Sequence, residues 1–444
     1  MPAVRDKPSS PLARILANTA WLLGGKGFGA LCSIVYLAIL TRTLGLKGFG
    51  HFSLIFGTAQ ALIAIAGFQT WRVVVRYGAT HVHRQDWPAF GRLGMFAGML
   101  DALGAVCGCA LAAIVFFGFA HLLELNQNYI IPGFLFCCAQ LWALVSAPTG
   151  IVRALDRFQV AVYVEAVVPI GRLLGALAVW LTGPSVERFL LVWALVDLVE
   201  AACYWAVAKW LCPQAVRWTY LKDYHRTLNE NLGLWRFFVV TFAGSTVDAL
   251  TKNGPLLIVG AIVGTSAAGL YRLASQLSQA LSKFSTILTR AVYAEISRMR
   301  VASSLQEFRR LALQTSLISG LGAVIVVLIA LFAGESLLRL IGGSAFEGGA
   351  AILVPLALAA SFDLASVAFE PVLHSTGRAQ LSLVARLVSL AVMAVAIALL
   401  IHIGPGGAAW AVAIGSAALY AAMGLMAFFT LRTMPGDEPL QPID

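Results

Sequence analysis

The segment GLKGFGHFSL, residues 45–54, recurs 219 residues later as GTSAAGLYRL, residues 264–273. The register continues beyond both copies, because Gln60-Ala61-Leu62 returns as Gln279-Ala280-Leu281. A match of this length indicates an internal duplication. Chains built from two similar halves usually have their functional site where the halves meet, so the repeat also predicts where the functional site lies.

The composition predicts an all-α membrane protein. Apolar residues make up 59% of the 444 residues and charged residues only 12%, against roughly a quarter in an average soluble domain. Apolar stretches of about 20 residues, the length that crosses a bilayer as a helix, occur along the whole chain. They lie near residues 17–40, 52–75, 92–119, 130–152, 159–182, 188–209, 233–260, 266–290, 310–333, 348–373, 379–402 and 407–431.

These stretches predict about twelve transmembrane helices, six in each half. The halves would be residues 1–210 and 233–444, joined by a cytoplasmic connecting loop at 211–232. Because six is even, both halves start on the same side of the membrane, which makes them parallel repeats around a central cavity. Most Lys and Arg residues outside the helices fall on the side of the N-terminus, so the positive-inside rule places both termini in the cytoplasm.

Charge and cysteine content exclude several functions. The net charge of +10 follows from the basic cytoplasmic loops and suits contact with anionic membrane lipids, so we expect no nucleic-acid partner. The spacings of the seven cysteines fit neither a zinc site nor a disulfide framework. We therefore expect no metal and no cofactor.

Several basic residues lie inside the predicted helices, where a charge is costly and usually functional. Most of them belong to helices 1, 2, 7 and 8, the first two helices of each half. They are Lys26 on helix 1, Arg72 on helix 2, Arg236 and Lys252 on helix 7, Arg272 and Lys283 on helix 8, with Arg172 on helix 5 and Arg386 on helix 11. Arg72 and Arg236 lie near the cytoplasmic ends, where snorkelling to the headgroups is the alternative.

Two helices carry polar stripes at helical spacing. The positions follow i, i+4, i+7 and i+11, which places them on one face. They are Arg272, Gln276, Gln279 and Lys283 on helix 8, and Thr241, Ser245, Asp248 and Lys252 on helix 7. The excess of cations favours an anionic ligand such as a phosphate or diphosphate. An ion pair between Asp248 and Lys252, one turn apart, is the structural alternative.

Buried acids form a second group, mostly on the outer helices. They are Asp101, Glu165, Asp197, Glu200, Asp363 and Glu370. We expect them to pair with Arg172 and Arg386 and so to hold each half together. Asp363 and Glu370 share one face of helix 10 and are, with Asp248, the candidates for ion coupling instead.

The duplicated segments resemble those of a known family. Leu40-Thr41-Arg42-Thr43-Leu44-Gly45, with Gly48-Phe49-Gly50, resembles the junction of helices 1 and 2 in polysaccharide flippases of the multidrug, oligosaccharidyl-lipid and polysaccharide exporter superfamily. Ala268-Gly269-Leu270-Tyr271 resembles the matching signature of helix 8. The resemblance implies a bacterial inner-membrane protein that moves undecaprenyl-diphosphate-linked oligosaccharide to the outer leaflet by alternating access. It also implies a cavity lined by cations of helices 1, 2, 7 and 8.

We therefore expect a flippase for exopolysaccharide, capsule or O-antigen synthesis that makes and breaks no covalent bond. Its partners would be the lipid-linked oligosaccharide and membrane lipids, with a polysaccharide polymerase or glycosyltransferases as further candidates. The expected substrate-binding residues are Lys26, Gln60, Arg72, Lys252, Arg272, Gln276, Gln279 and Lys283.

Two other functions stay open. An ion-coupled exporter of small molecules or drugs would use Asp248 as its coupling acid. A non-transporting membrane scaffold for glycosyltransferases would depend on the basic loops at 211–230 and 291–308 and not on the buried cations.

Overall fold

The computed structural model describes residues 11–119, 125–298, 305–366, 369 and 379–433, with side chains at 27–119, 125–223, 225–283, 320–366, 369 and 380–429. This part of the chain is helical almost throughout and contains no β-strand. In chain order the helices are α1 (Pro11–Ala66), α2 (Trp71–His83), α3 (Trp87–Ala113), α4 (Ile130–Trp142), α5 (Ser146–Ala154), α6 (Phe158–Glu165), α7 (Val167–Thr182), α8 (Val186–Leu211), α9 (Tyr224–Glu230), α10 (Leu234–Ile262), α11 (Thr265–Arg298), α12 (Leu305–Gly342), α13 (Ala350–Ser366), α14 (Ala379–Leu400) and α15 (Pro405–Thr433).

The helix lengths and hydropathy confirm a membrane-spanning fold. Nine segments among the described residues are long and apolar enough to cross a bilayer. The first, Gly27–Ala66, contains two helices, because the chain leaves the helical conformation at Gly45. α10 and α11, with 29 and 34 residues, are also long enough to span and are more polar than the nine. Together these segments correspond to the twelve predicted helices.

Met1–Leu44, Thr58–His121 and Leu125–Thr246 form one compact unit, the first unit. One of its cores is fully buried at Phe90, Ile151 and Tyr204, with Ala208 and Ala215 beside them. A second core joins Leu93 and Phe96 of α3 to Leu234 and Phe238 at the start of α10. α3 therefore has apolar contacts on several sides, as expected for the central helix of a bundle.

Gly45–Gly57 and the described residues of Val247–Asp444 form the second unit. Here α14 and α15 pack closely, because Gly415 of α15 lies against Met393 of α14 and the Ser389 hydroxyl donates to the Gly415 carbonyl at 2.8 Å. Small residues at such contacts let transmembrane helices approach each other.

The duplicated segments have matching backbone conformations. Gly45 and its counterpart Gly264 both have positive φ, +66° and +106°, at the joints between consecutive long helices. Residues with a side chain rarely adopt such φ values, so glycine is required at both joints.

Five residues beyond these joints the two copies touch within the second unit. A methyl group on Gly50 would lie 2.0 Å from the Thr265 carbonyl oxygen, and one on Gly269 would lie 2.8 Å from the Leu46 carbonyl oxygen. Gly50 matches Gly269 in the repeat, and Leu46 matches Thr265. The contact is therefore reciprocal, as a pseudo-twofold relation between the copies requires.

The structure corrects several predicted boundaries. Predicted helix 2 ends at Ala66 and not near residue 75, and Arg72 lies in the first turn of the separate helix α2. Predicted helix 4 stops at Trp142 and resumes at Ser146 as α5, and predicted helix 5 is interrupted at Ala166. Apolar composition is the same on both sides of such interruptions, so it did not reveal them. The loop predicted at 291–308 is also shorter, since α11 continues to Arg298 and α12 begins at Leu305.

Candidate functional site

Asp248 of α10 forms an ion pair with Arg386 of α14 in the second unit. The Asp248 side chain is 39% exposed and that of Arg386 20%. The predicted alternative, a pair between Asp248 and Lys252, is therefore wrong, although the two residues are one turn apart on α10. The expectation that Arg386 pairs with an acid of the outer helices is corrected as well, because its partner belongs to α10.

Asp363 of α13 lies beside this ion pair. Asp363 is exposed, and the charges of Lys252, Asp248 and Arg386 all act on its carboxylate. Two acids and two bases from three helices thus form one charge cluster, which we call the α10 cluster. Glu370, the other predicted coupling acid of helix 10, lies outside the described residues.

The polar stripe of predicted helix 8 lies on the continuous helix α11, so its four members share a face about 16 Å long at 1.5 Å per residue. Arg272 is half-buried, and its guanidinium carbon lies 5.1 Å from the centre of the Phe56 ring, a cation–π distance. Gln276 is also half-buried, and its Oε1 accepts no hydrogen bond from the described residues. Gln279 and Lys283 are exposed, and the Gln279 amide donates to Ser275 Oγ at 3.2 Å.

Lys252 and Lys283 share one property. Both side chains are exposed, and neither forms an ion pair with any residue that the structure describes. Lys26 belongs to α1, but its side chain lies outside the described residues.

In the first unit, Gln60 is half-buried on α1, and Arg72 is half-buried on α2. The guanidinium carbons of Arg72 and Arg153 lie 5.4 and 4.9 Å from the centre of the Trp71 ring. Arg72 Nε is buried without a hydrogen-bond partner in the described part of the chain. Arg153 was not identified from the sequence as a neighbour of Arg72, because residue 153 lies just beyond the predicted helix at 130–152.

One buried acid of the first unit, Asp197, pairs as expected, whereas Glu165 has Arg153 as its partner and not Arg172 or Arg386. Arg172 donates to both carboxylate oxygens of Asp197, at 2.9 and 2.8 Å, and Gln140 donates to the same carboxylate. Glu165 pairs with Arg153 at 3.3 Å. Asp101 differs, since its recorded hydrogen bonds come from neutral donors, so the prediction that it pairs with an arginine is wrong.

Among the described residues, no three His, Cys, Asp or Glu side chains come together as a metal site. The seven cysteines are free thiols in the structure.

Solved structures of known proteins share this architecture. An inward-facing multidrug resistance transporter of the MATE family, in the MOP superfamily, matches with a TM-score of 0.65 at 13% identity, over 91% of this chain and 94% of that one. The lipid II flippase MurJ in an inward closed conformation matches with a TM-score of 0.63 at 12% identity, over 93% of this chain and 87% of that one. At such identities the likeness concerns the fold, so the class is an integral membrane protein with the transporter fold of this superfamily.

The sequence comparisons give the family. The family model described as "Polysaccharide biosynthesis protein" matches residues 15–300, and the chain belongs to this family. The inner membrane protein YghQ of Escherichia coli (strain K12) is 25% identical over 341 residues, which cover 74% of this chain and 92% of YghQ.

Proposed function

We propose that this protein flips a lipid-linked oligosaccharide from the cytoplasmic to the outer leaflet by alternating access, for exopolysaccharide, capsule or O-antigen synthesis. In the second unit, Lys252, Arg272 and Lys283 bind the diphosphate of the carrier lipid; Lys26 and Arg72 are the substrate-binding candidates of the first unit. Gln60, Gln276 and Gln279 hydrogen-bond phosphate or sugar. No covalent bond changes, so the protein acts by binding and conformational exchange.

This proposal rests on the sign of the charges that have no ion-pair partner at membrane depth. Arg172 and Arg386 are each neutralised by an aspartate, whereas Lys252 and Lys283 have no ion-pair partner among the described residues. A lysine facing lipid near the bilayer centre costs about 2.5–3.5 kcal/mol on insertion scales. Exposed lysines at this depth are therefore expected to face water or a polar ligand, and their charge selects an anion.

The residue types suit a diphosphate attached to a sugar. Ammonium groups bind phosphate oxygens with charge-assisted hydrogen bonds, and guanidinium groups add planar, two-pronged recognition. Glutamine amides offer one acceptor and two donors, which fits sugar hydroxyls. The Oε1 of Gln276, which has no hydrogen-bond partner among the described residues, is an acceptor that such a hydroxyl would satisfy.

The exporter alternative receives less support from the same region. A cationic drug would need a carboxylate that is available to it, and Asp248 is engaged by the Arg386 guanidinium. Asp363 is close to the positive charges of Lys252 and Arg386. The acids of this cluster are therefore already compensated by cations of the protein.

Alanine variants of the two lysines test the proposal. In a strain that lacks the chromosomal gene, Lys252→Ala and Lys283→Ala should reduce polymer export, whereas the arginine variants of the same lysines should retain part of it. Arg339→Ala is the matched control, because Arg339 is a 70% exposed cation of the second unit outside these stripes. Full export in both alanine variants would show that transport does not require these two lysines.

Leaflet sidedness separates flipping from scaffolding. Deleting the gene should accumulate lipid-linked oligosaccharide on the cytoplasmic face, as measured by its accessibility to an impermeant sugar-oxidising reagent. Unchanged sidedness would favour the scaffold function, in which the basic loops matter and the buried cations do not.

The proposed orientation, with both termini in the cytoplasm, has its own test. In a background without native cysteines, Pro184→Cys should react with an impermeant maleimide from outside the inner membrane and Lys222→Cys only after permeabilisation. The reverse pattern would invert the topology and the proposed direction of transport.

A further inference from the structure

Asp101 occupies the junction of two interrupted helices in the first unit. Its side chain is buried, with 6% of the residue exposed, in the middle of α3. Oδ1 accepts from the Thr70 hydroxyl at 2.8 Å, and Oδ2 accepts from the Ala147 amide at 2.7 Å. Thr70 is the N-cap of α2, and Ala147 lies in the first turn of α5. One carboxylate therefore joins the N-termini of two helices that resume after a break.

A third residue closes the junction. The Ser146 hydroxyl oxygen lies 3.2 Å from the Thr70 hydroxyl oxygen and accepts from the Trp71 amide at 3.0 Å. The partially positive N-terminal ends of α2 and α5 thus stabilise the carboxylate in place of a cation.

The charged groups of the neighbouring helices are directed elsewhere. On α2 and α5, Arg72 and Arg153 lie over Trp71, and Arg76 lies 4.5 Å from the centre of the Phe237 ring. α4 contributes only the thiols of Cys137 and Cys138 as titratable groups.

Near Asp101, α3 also contacts α1 through Ala66 at Gly104, α8 through Trp205 at Gly98, and α10 through Leu234 and Phe238 at Leu100. None of these contacting side chains is charged, and the remaining contacts lie farther from the carboxylate. α9 and the 3₁₀ turn Trp218–Asp223 contact α3 near Gly91 and Arg92, about 14 Å along the helix from Asp101. Neutralising a buried carboxylate by proton uptake removes a large desolvation penalty, provided that its hydrogen bonds survive.

The two oxygens differ in their ability to take a proton. The Ala147 amide can only donate, so a proton on Oδ2 would face another hydrogen. The Thr70 hydroxyl can donate or accept, because its hydrogen rotates about the C–O bond. A protonated Oδ1 can therefore donate a hydrogen bond to Thr70 Oγ. The Thr70 hydroxyl then donates its own hydrogen bond to Ser146 Oγ, 3.2 Å away.

We propose that Asp101 is a proton-binding site of the transporter, which takes up one proton at Oδ1 while the Thr70 hydroxyl reverses from donor to acceptor. In the ionised state the carboxylate holds the N-termini of α2 and α5 by charge as well as by hydrogen bonds. In the neutral state the hydrogen bonds remain and the charge–dipole attraction is lost. Proton binding thus loosens the junction of two membrane helices without breaking it.

Infrared difference spectra of the full-length protein in lipid nanodiscs, recorded between acidic and neutral pH, test this site. The wild type should show a protonated-carboxyl C=O band that Asp101→Asn lacks. Thr70→Val should move the band to higher frequency, because the acid loses its hydrogen-bond partner, whereas Thr70→Ser should leave it in place. Identical difference spectra for the wild type and Asp101→Asn would overturn the proposal.

The threonine variants keep the test decisive if Asp101→Asn does not fold, since an acid elsewhere would not respond to Thr70→Val. Equal bands in Thr70→Val and Thr70→Ser would then refute the assignment. The proposal does not depend on the identity of the substrate. If the Asp101 band titrates while export is unchanged in the alanine variants of Lys252 and Lys283, the proposed function is refuted and the proton-binding site stands.

Discussion

The reciprocal glycine contact leads to a quantitative prediction for Gly50→Ala. The added methyl group would lie 2.0 Å from the Thr265 carbonyl oxygen, whereas a carbon normally stays about 3.3 Å from a carbonyl oxygen. The segments must therefore separate by about 1.3 Å, and neither atom belongs to a side chain that could turn away. Overpacking of this kind costs about 1–3 kcal/mol.

Gly269→Ala should cost less at the same contact. Its methyl group would lie 2.8 Å from the Leu46 carbonyl oxygen, so a displacement of about 0.5 Å suffices. Once Gly50→Ala has separated the segments, the second methyl group finds the space already open. The double variant should therefore unfold like Gly50→Ala alone, and the two costs should not add.

The assay is reversible unfolding in mixed micelles, followed by tryptophan fluorescence, for the two single variants and the double variant. Gly254→Ala is the matched control, because no atom lies within 4 Å of a methyl group at that position of α10. It should be neutral or stabilising by up to about 1 kcal/mol, as alanine is the better helix former. Additive costs, or a larger cost for Gly269→Ala than for Gly50→Ala, would refute the reciprocal contact.

Three further changes follow from the charges and backbone conformations. Gly264→Ala should destabilise the protein by about 1–3 kcal/mol in the same unfolding assay, because alanine is strained at φ +106°. Arg386→Ala should lower the free energy of unfolding by more than the double variant Arg386→Ala/Asp248→Ala does, because the single change leaves a carboxylate without its guanidinium. If the costs of the two single changes simply add in the double variant, the ion pair is contradicted. Arg172→Met should destabilise by about 3–5 kcal/mol by leaving the buried Asp197 uncompensated, and an unchanged unfolding midpoint would show that Gln140 suffices as its partner.

The sequence predicted the helical membrane architecture because the bilayer dictates it. A span needs about 20 apolar residues whatever its neighbours are, so composition alone located the helices. The repeat carried further information, since Gly45 and Gly264 were recognisable as counterparts before their shared positive φ was known. A glycine at a helix joint reflects a constraint on the local backbone, and such a constraint is visible in the sequence itself.

Pairing between distant residues was not predictable in the same way. Asp248 has Lys252 one turn away and Arg386 138 residues away, and only the packing of α10 against α14 decides between them. The helix breaks before α2 and α5 were missed for a related reason. Thr70 and Ser146 are typical helix-start residues and offered a signal, but the apolar residues around them extended the predicted helices across the gap.

The α10 cluster and the α11 stripe also predict that Lys283 contributes more to diphosphate affinity than Lys252. Lys252 acts electrostatically on Asp363, so part of its charge is already compensated within the protein, beside the Asp248–Arg386 pair. Lys283 has no acid on its stripe. Lys283→Ala should therefore weaken binding of a diphosphate lipid by the purified protein more than Lys252→Ala does, while Lys252→Ala should lower stability more by leaving Asp363 less compensated. The opposite order in both measurements would mean that the α10 cluster, and not the α11 stripe, binds the anion.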